Sequence, residues 1–199
     1  MDQRCNRILT LMIAAALFAV SGCATTPPPT FYQLEEPAST HLSGLDRGIA
    51  IGVGPVEVAA YLDRPQIVSR AAAHKLQLSE SNMWAEPLKE SILRVIAVNL
   101  SNMLETTRIF RFPRRDRTIP LTYRVSVDIP RFDGTLGGDA QLVARWTLYK
   151  GRGENALLTR VTIIAEATGG EGYEKLITAQ NRILQGLSRV IADAIKEAQ

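Results

Sequence analysis

The sequence predicts an α+β fold: a mainly antiparallel sheet with two long helices packed on one face. Three observations carry that expectation. Several stretches alternate apolar and polar residues with a period of two, the mark of a half-buried strand. Two others, beginning near Pro87 and Tyr173, repeat apolar residues every three or four positions, as helices do. The strands come in runs divided by those helices rather than alternating with them, which argues against a βαβ sheet.

The first element in the chain stands outside that fold. Arg4 and Arg7 give a positive start, and residues 8–20 form an apolar run of thirteen. Crossing a bilayer takes about 20 such residues, so the run has the length of a signal peptide, not of a membrane span. It stops at Val20-Ser21-Gly22-Cys23, a string that resembles the bacterial lipobox. The resemblance implies cleavage after Gly22, a diacylglyceryl group on the Cys23 thiol, and a fatty acid such as palmitate on the freed amine. A plain secreted protein with a coincidental cysteine is the other reading. Three acyl chains would hold the protein to a membrane surface without threading it through. Ala24 follows the cysteine where inner-membrane lipoproteins of Gram-negative bacteria carry aspartate. That implies the outer membrane, facing the periplasm.

Residues 1–22 are therefore expected to be a lipoprotein signal peptide and 23–30 the acylated cysteine with its tether. Residues 31–199 are then the domain. Pro27, Pro28 and Pro29 favour extended polyproline geometry in the tether, about 3.1 Å per residue, which keeps the domain close to the membrane. Only Cys5 and Cys23 exist. With one lost in the leader and one lipidated, the mature chain has no thiol for a disulfide, a redox pair or a metal site. The formal charge is +3 with a pI near 9.0. That is too mild to argue for nucleic acid.

Within the domain, residues 31–34 suit a short first strand. Residues 49–58 are β-rich, with Gly54-Pro55 marking a bulge or bend. Residues 66–70 and 75–79 read as a hairpin. From Pro87, a favourable first-turn residue, Leu88, Ile92, Ile96, Leu100 and Met103 line one helical face. Lys89, Glu90, Arg94 and Asn99 take the other, and the helix is expected to end near Thr106. The basic cluster Arg108, Arg111, Arg114, Arg115 and Arg117, interleaved with Phe110 and Phe112, reads as a solvated loop, with anionic lipid or a partner as the alternative.

Residues 122–129 put Tyr123, Val125, Val127 and Ile129 on one face and Arg124, Ser126 and Asp128 on the other. Residues 141–149 alternate in the same way, residues 157–167 are more continuously apolar, and glycine-containing turns between them predict a meander. A last helix from about Tyr173 would bury Leu176, Ile183, Leu187, Val190, Ile191 and Ala194.

Catalytic chemistry is poorly supplied. His41 and His74 both fall in expected loops or turns, and no HExxH, GxSxG or dinucleotide loop is present. Carboxylate pairs drawn from Asp128 and Asp133, or from Asp63 and Glu86, are not forced together by spacing. No enzyme activity, cofactor or metal is expected. Two stretches carry more chemistry than a simple turn needs. One is Tyr61-Leu62-Asp63-Arg64-Pro65-Gln66-Ile67-Val68 and the other Trp84-Ala85-Glu86-Pro87-Leu88. A structural role is open to both: a capped turn with Tyr61 on the core, and an indole stapling a helix entry. So is contact with a partner or a second subunit through Tyr61, Leu62, Asp63, Arg64, Pro65, Gln66 and Trp84.

These two stretches, with Gly54-Pro55-Val56 before them, resemble the signature blocks of the PqiC family of ABC-type transport auxiliary lipoproteins. Val125-Ser126-Val127-Asp128, Arg131-Phe132-Asp133-Gly134 and Ala144-Arg145-Trp146 fall where that family has its strand motifs. Met83, before Trp84, departs from the arginine expected in many relatives. The resemblance covers residues 31–199 and implies a non-enzymatic part in lipid transport between the two membranes. Such lipoproteins sit on the outer membrane and maintain envelope integrity with an MCE-domain conduit protein and its inner-membrane permease. They are expected to assemble as a homo-oligomeric ring. A lipoprotein that regulates or assembles another envelope machine, such as a peptidoglycan synthase activator or an outer-membrane assembly partner, is the alternative.

Overall fold

β-branched and aromatic residues concentrate where the backbone is extended, and the strands they form divide between two sheets. The computed structural model describes residues 28–36, 48–113, 119–153 and 155–199. The leader, Cys23, His41, Arg114, Arg115 and Arg117 lie outside the described residues. In chain order the elements are β1 (Thr30–Tyr32), β2 (Ile51–Val58), β3 (Gln66–Ala72), β4 (Lys75–Trp84), α1 (Leu88–Leu104) and β5 (Ile109–Arg111). β6 (Tyr123–Gly134), β7 (Asp139–Lys150), β8 (Ala156–Ala167) and α2 (Tyr173–Glu197) follow.

The larger sheet has the order β5-β2-β6-β7-β8, and the smaller the order β1-β4-β3. The meander expected of the last three strands is present, as is the β3–β4 hairpin. Both sheets are mixed: β2 runs parallel to β5 and to β6, and β1 runs parallel to β4. The α+β class therefore holds, with two sheets where the strand pattern suggested one. Period-two patterning fixes which face of a strand is buried, but not which distant strand it pairs with.

Both helices lie on the larger sheet and on each other. Leu88, Ile92, Ile96 and Leu100 of α1 are buried, as its spacing predicts, but so is Asn99. Its side-chain amide donates to Ser188 Oγ of α2 at 3.2 Å, and that hydroxyl donates to the Leu184 carbonyl at 2.7 Å. The polar face expected of α1 is thus partly a helix–helix contact. A residue with a buried polar group is tolerated there because it finds a partner. α1 ends where Glu105 takes a left-handed conformation (φ 52°) and its N–H returns to the Ser101 carbonyl. α2 buries a broad stripe, including Leu176, Ile183, Leu187, Ile191 and Ala194, with Val190 at its margin.

The arginine-rich stretch corrects the loop reading. Ile109, Phe110 and Arg111 are strand β5, paired with Ile51, Gly52 and Val53 at the edge of the larger sheet. Three residues carry too little pattern to announce a strand whose partner is more than fifty positions away. Arg124, on the nominally solvent face of β6, is also buried. Its guanidinium stacks over the Tyr149 ring at 3.8 Å and lies 4.8 Å from the Phe112 ring, so its charge is met by π faces.

A candidate docking cleft above a buried carboxylate

Asp133 sits at the end of β6, past Pro130, where the register with β7 shifts between Asp128 and Arg131. Asp133 faces Arg70 of the smaller sheet, and its side chain is fully buried. Unpaired, a carboxylate there would be costly. Here it has three donors. Tyr61 Oη donates to Oδ2 at 2.7 Å, Arg70 contributes Nε at 3.0 Å and Nη2 at 2.8 Å, and Arg131 Nε donates to Oδ1 at 3.1 Å.

Burial alone would push the Asp133 carboxyl up. The hydrogen bonds from Arg70, Tyr61 and Arg131, with the Arg131 charge, outweigh it and hold the group below the usual carboxylate range. Burial and then the bond to Asp133 push the Tyr61 phenol far above its ordinary value, so it stays a donor. The bond to Asp133 likewise keeps Arg70 charged. Arg70 also donates through Nη1 to the Ala73 carbonyl at 2.8 Å, which extends the network into the β3–β4 turn.

One buried carboxylate thus joins the loop after β2, the hairpin and β6, tying the two sheets together. Tyr61→Phe is expected to cost about 1–2 kcal/mol, because it deletes one hydrogen bond to a charged acceptor that keeps its arginines. Urea unfolding checks this. A double-mutant cycle with Asp133→Ala should show that the effect depends on the carboxylate.

The two conspicuous stretches of sequence meet beside this node. Trp84 N–H donates to the Pro65 carbonyl at 2.7 Å, and Ala85 N–H to the Tyr32 carbonyl at 2.8 Å. Between them lies a cleft of about 340 Å³ lined by Asp63, Arg64, Pro65, Trp84, Ala85, Glu86 and Pro87. Leu62 and Trp84 belong to the core, and Tyr61 is engaged with Asp133. The surface of the first block is therefore carried by Asp63, Arg64 and Pro65, with Gln66 half-buried at the start of β3.

Neighbouring charges are arranged around the cleft rather than within a catalytic pair. Asp63 pairs with Lys89 at 3.3 Å. Glu86 accepts from Ser91 Oγ at 2.8 Å and from Arg94, which also pairs with Glu36. The bond from Arg94, against the opposing effect of burial, holds the Glu86 carboxyl below its ordinary value. Arg64 Nε is buried without a hydrogen-bond partner among the described residues, leaving the cleft wall with an unused donor.

Other sequence candidates fall elsewhere. His74 is exposed in the β3–β4 turn. Asp128 is exposed opposite Arg145, on the same face of the sheet as Asp133 but farther along β6. No group of His, Cys, Asp and Glu suited to a metal ion occurs among the described residues. Sequence reading missed the network itself. Its signal was an aspartate between Phe132 and Gly134 near a strand end, with arginines at Arg131 and, in a second strand, at Arg70.

Two mixed sheets, two helices and a cleft between the two sequence blocks define a small α+β domain. A family model for the ABC-type transport auxiliary lipoprotein component matches residues 32–192, and the chain belongs to that family. Its members are transport-associated lipoproteins, and the resemblance to PqiC proteins drawn from the signature blocks agrees with this membership. No curated protein matches the chain.

Solved structures share the fold. A crystal structure of an uncharacterized protein superposes with a TM-score of 0.69 at 18% identity, covering 85% of this chain and 99% of that one. A Xanthomonas campestris protein of the DUF330 family gives 0.66 at 16% identity, covering 82% of this chain and 92% of that one.

Proposed function

We propose that this protein is an outer-membrane lipoprotein, anchored through acylated Cys23 and facing the periplasm. It serves as a non-enzymatic accessory of an MCE/Pqi-type intermembrane lipid transport system. Residues 1–22 are the leader, 23–30 the anchor and tether, and 31–199 the working domain. The observation that carries the reading is the cleft. Two sequence blocks some twenty residues apart, each richer in charge and aromatics than its backbone needs, converge on one surface. Their buried members hold the fold, while Asp63, Arg64, Pro65, Ala85 and Pro87 face outward.

The partner we assign to this surface is the MCE-domain conduit, which works with an inner-membrane permease and carries lipid along an apolar path through the aqueous periplasm. The half-buried Arg64 lines the cleft, and its guanidinium suits a carboxylate or carbonyl acceptor on that partner. Several copies arranged as a ring would surround the conduit's end. The exposed apolar row Leu157, Val161 and Ile163 on edge strand β8 is the surface we assign to contact between copies.

Affinity purification of the acylated protein from detergent-solubilised envelopes, with mass spectrometry, tests the reading. Recovery of an MCE-domain protein, and its loss with Arg64→Glu, is the expected result. Recovery of cell-wall synthases or barrel-assembly proteins instead would replace it with a regulatory role. The anchor is tested separately: Cys23→Ala should leave unfolding unchanged and shift the protein from sedimented membranes to the soluble fraction.

A further inference from the structure

From the smaller sheet, we infer a second membrane contact: the β3–β4 hairpin tip rests in the interfacial layer of the bilayer that holds the lipid anchor. The inference builds on the anchoring of Cys23 and adds to it a defined orientation of the domain. Residues 71–78, the distal half of the hairpin and its turn, are all exposed. They are Ala71, Ala72, Ala73, His74, Lys75, Leu76, Gln77 and Leu78, and they include no acidic residue. Leu76 and Leu78 stand on one face of β4, opposite Arg70 and Val68 of β3. They are 38% and 47% exposed, among the few large apolar side chains that the described residues leave bare. A strand tip with two bare leucines, three alanines and a cation suits an apolar boundary lined with anionic headgroups, more than it suits water.

The tether supplies the direction. β1 runs parallel to β4, with Thr30 opposite Asn82. The chain before Thr30 therefore leaves β1 on the side toward the beginning of β4, which is the hairpin turn. Cys23 precedes Thr30 by seven positions, and Lys75 precedes Asn82 by the same seven. Seven residues reach at most about 25 Å. The same number of strand residues spans roughly 23 Å. An extended tether of that length sets the acyl chains about as far from β1 as the hairpin turn, and a run of three prolines favours such extended geometry.

The buried node fixes the hairpin against this load. Arg70 binds Asp133 in the core and the Ala73 carbonyl in the turn, so the tip's angle is set by the same carboxylate that joins the sheets. Its orientation in turn carries the cleft at the far end of β4, by Trp84, away from the lipid surface.

The mature chain has no second cysteine, which makes a direct test available. Leu76→Cys, Leu78→Cys and Thr178→Cys variants of the acylated protein are labelled with an environment-sensitive fluorophore. They are reconstituted into vesicles of phosphatidylethanolamine and phosphatidylglycerol with nitroxide-bearing lipids. Thr178 is exposed on α2, near the Asn181 that binds Glu35 beyond the other end of β1. All three positions are exposed, and circular dichroism confirms that each variant folds. Blue-shifted, lipid-quenched emission at residues 76 and 78, with none at 178, is the expected result. Unquenched probes at 76 and 78 in acylated protein overturn the hairpin contact while leaving the anchor intact. Equal quenching at all three sites overturns the orientation. An intact mass showing bare Cys23 removes the anchor, and the hairpin's placement with it.

Discussion

Asp133→Ala is expected to lower the free energy of unfolding by about 3–5 kcal/mol, the range for removing one partner of a buried ion pair. The carboxylate is fully buried, and its loss leaves Arg70, Arg131 and the Tyr61 hydroxyl facing an empty acceptor site. Domains of this size are stable by only about 5–15 kcal/mol, so the variant should be close to the threshold for folding at 37 °C. Asp133→Asn keeps the shape but not the charge and should fall between the two. Urea unfolding followed by circular dichroism reads all three.

The same residue gives the protein an acid sensitivity of known sign. Its folded carboxyl titrates below its unfolded value, so the native state holds the proton less tightly than the unfolded chain. The stabilisation is present above the unfolded value of about 4 and is lost as pH falls through the folded one. The wild type should therefore lose stability below about pH 4 more steeply than Asp133→Asn does. Parallel slopes would show that Asp133 contributes nothing to the acid limb.

Gly54→Ala is the second large effect expected, at least about 3 kcal/mol, from backbone strain and overpacking together. Gly54 has a φ of +124°, a region that residues with a Cβ rarely enter. A Cβ built there would stand 2.2 Å from the Phe112 carbonyl oxygen, a backbone atom that cannot simply rotate aside. Phe112 N–H donates to the Val53 carbonyl at 2.8 Å, so the clash falls on the seam between β2 and the segment leaving β5. The expected outcome is a displaced β5 and loss of the Phe112–Arg124 contact, visible as a lowered urea midpoint and faster amide exchange in β5. An unchanged midpoint would mean that the seam yields without cost.

Much of the fold is written locally. The meander, the hairpin and both helices follow from periods of two and three to four, because burial of one face selects the backbone that aligns it. Gly54-Pro55 reads as a bulge from sequence, and the register of β2 against β6 does shift between Val53 and Val56. The candidate site was legible only in part. Tyr61, Asp63, Arg64 and Trp84 stand out because their chemistry exceeds what a turn requires. That the two blocks form one cleft depends on strand pairing in the smaller sheet, where Trp84 meets Pro65. The choice of Asp133 over Asp128 as the buried acid was hidden altogether. The register shift near Pro130 leaves both acids on one face of β6, and only the packing of Tyr61 and of Arg70 from β3 over the strand's end buries Asp133 and not Asp128.

Composition and periodicity by themselves determined the α+β class and the long strands and helices, though not the short strand β5. These are properties of neighbours along the chain, set by covalent geometry and one-dimensional patterning. Only the tertiary structure decided that strands distant in sequence run parallel and that the sheets number two. It also decided that Asn99 and Arg124 are inside and that one carboxylate receives Tyr61, Arg70 and Arg131. Pairing between remote segments is chosen by the summed burial and hydrogen bonding of the whole domain, and no local stretch of residues encodes that sum.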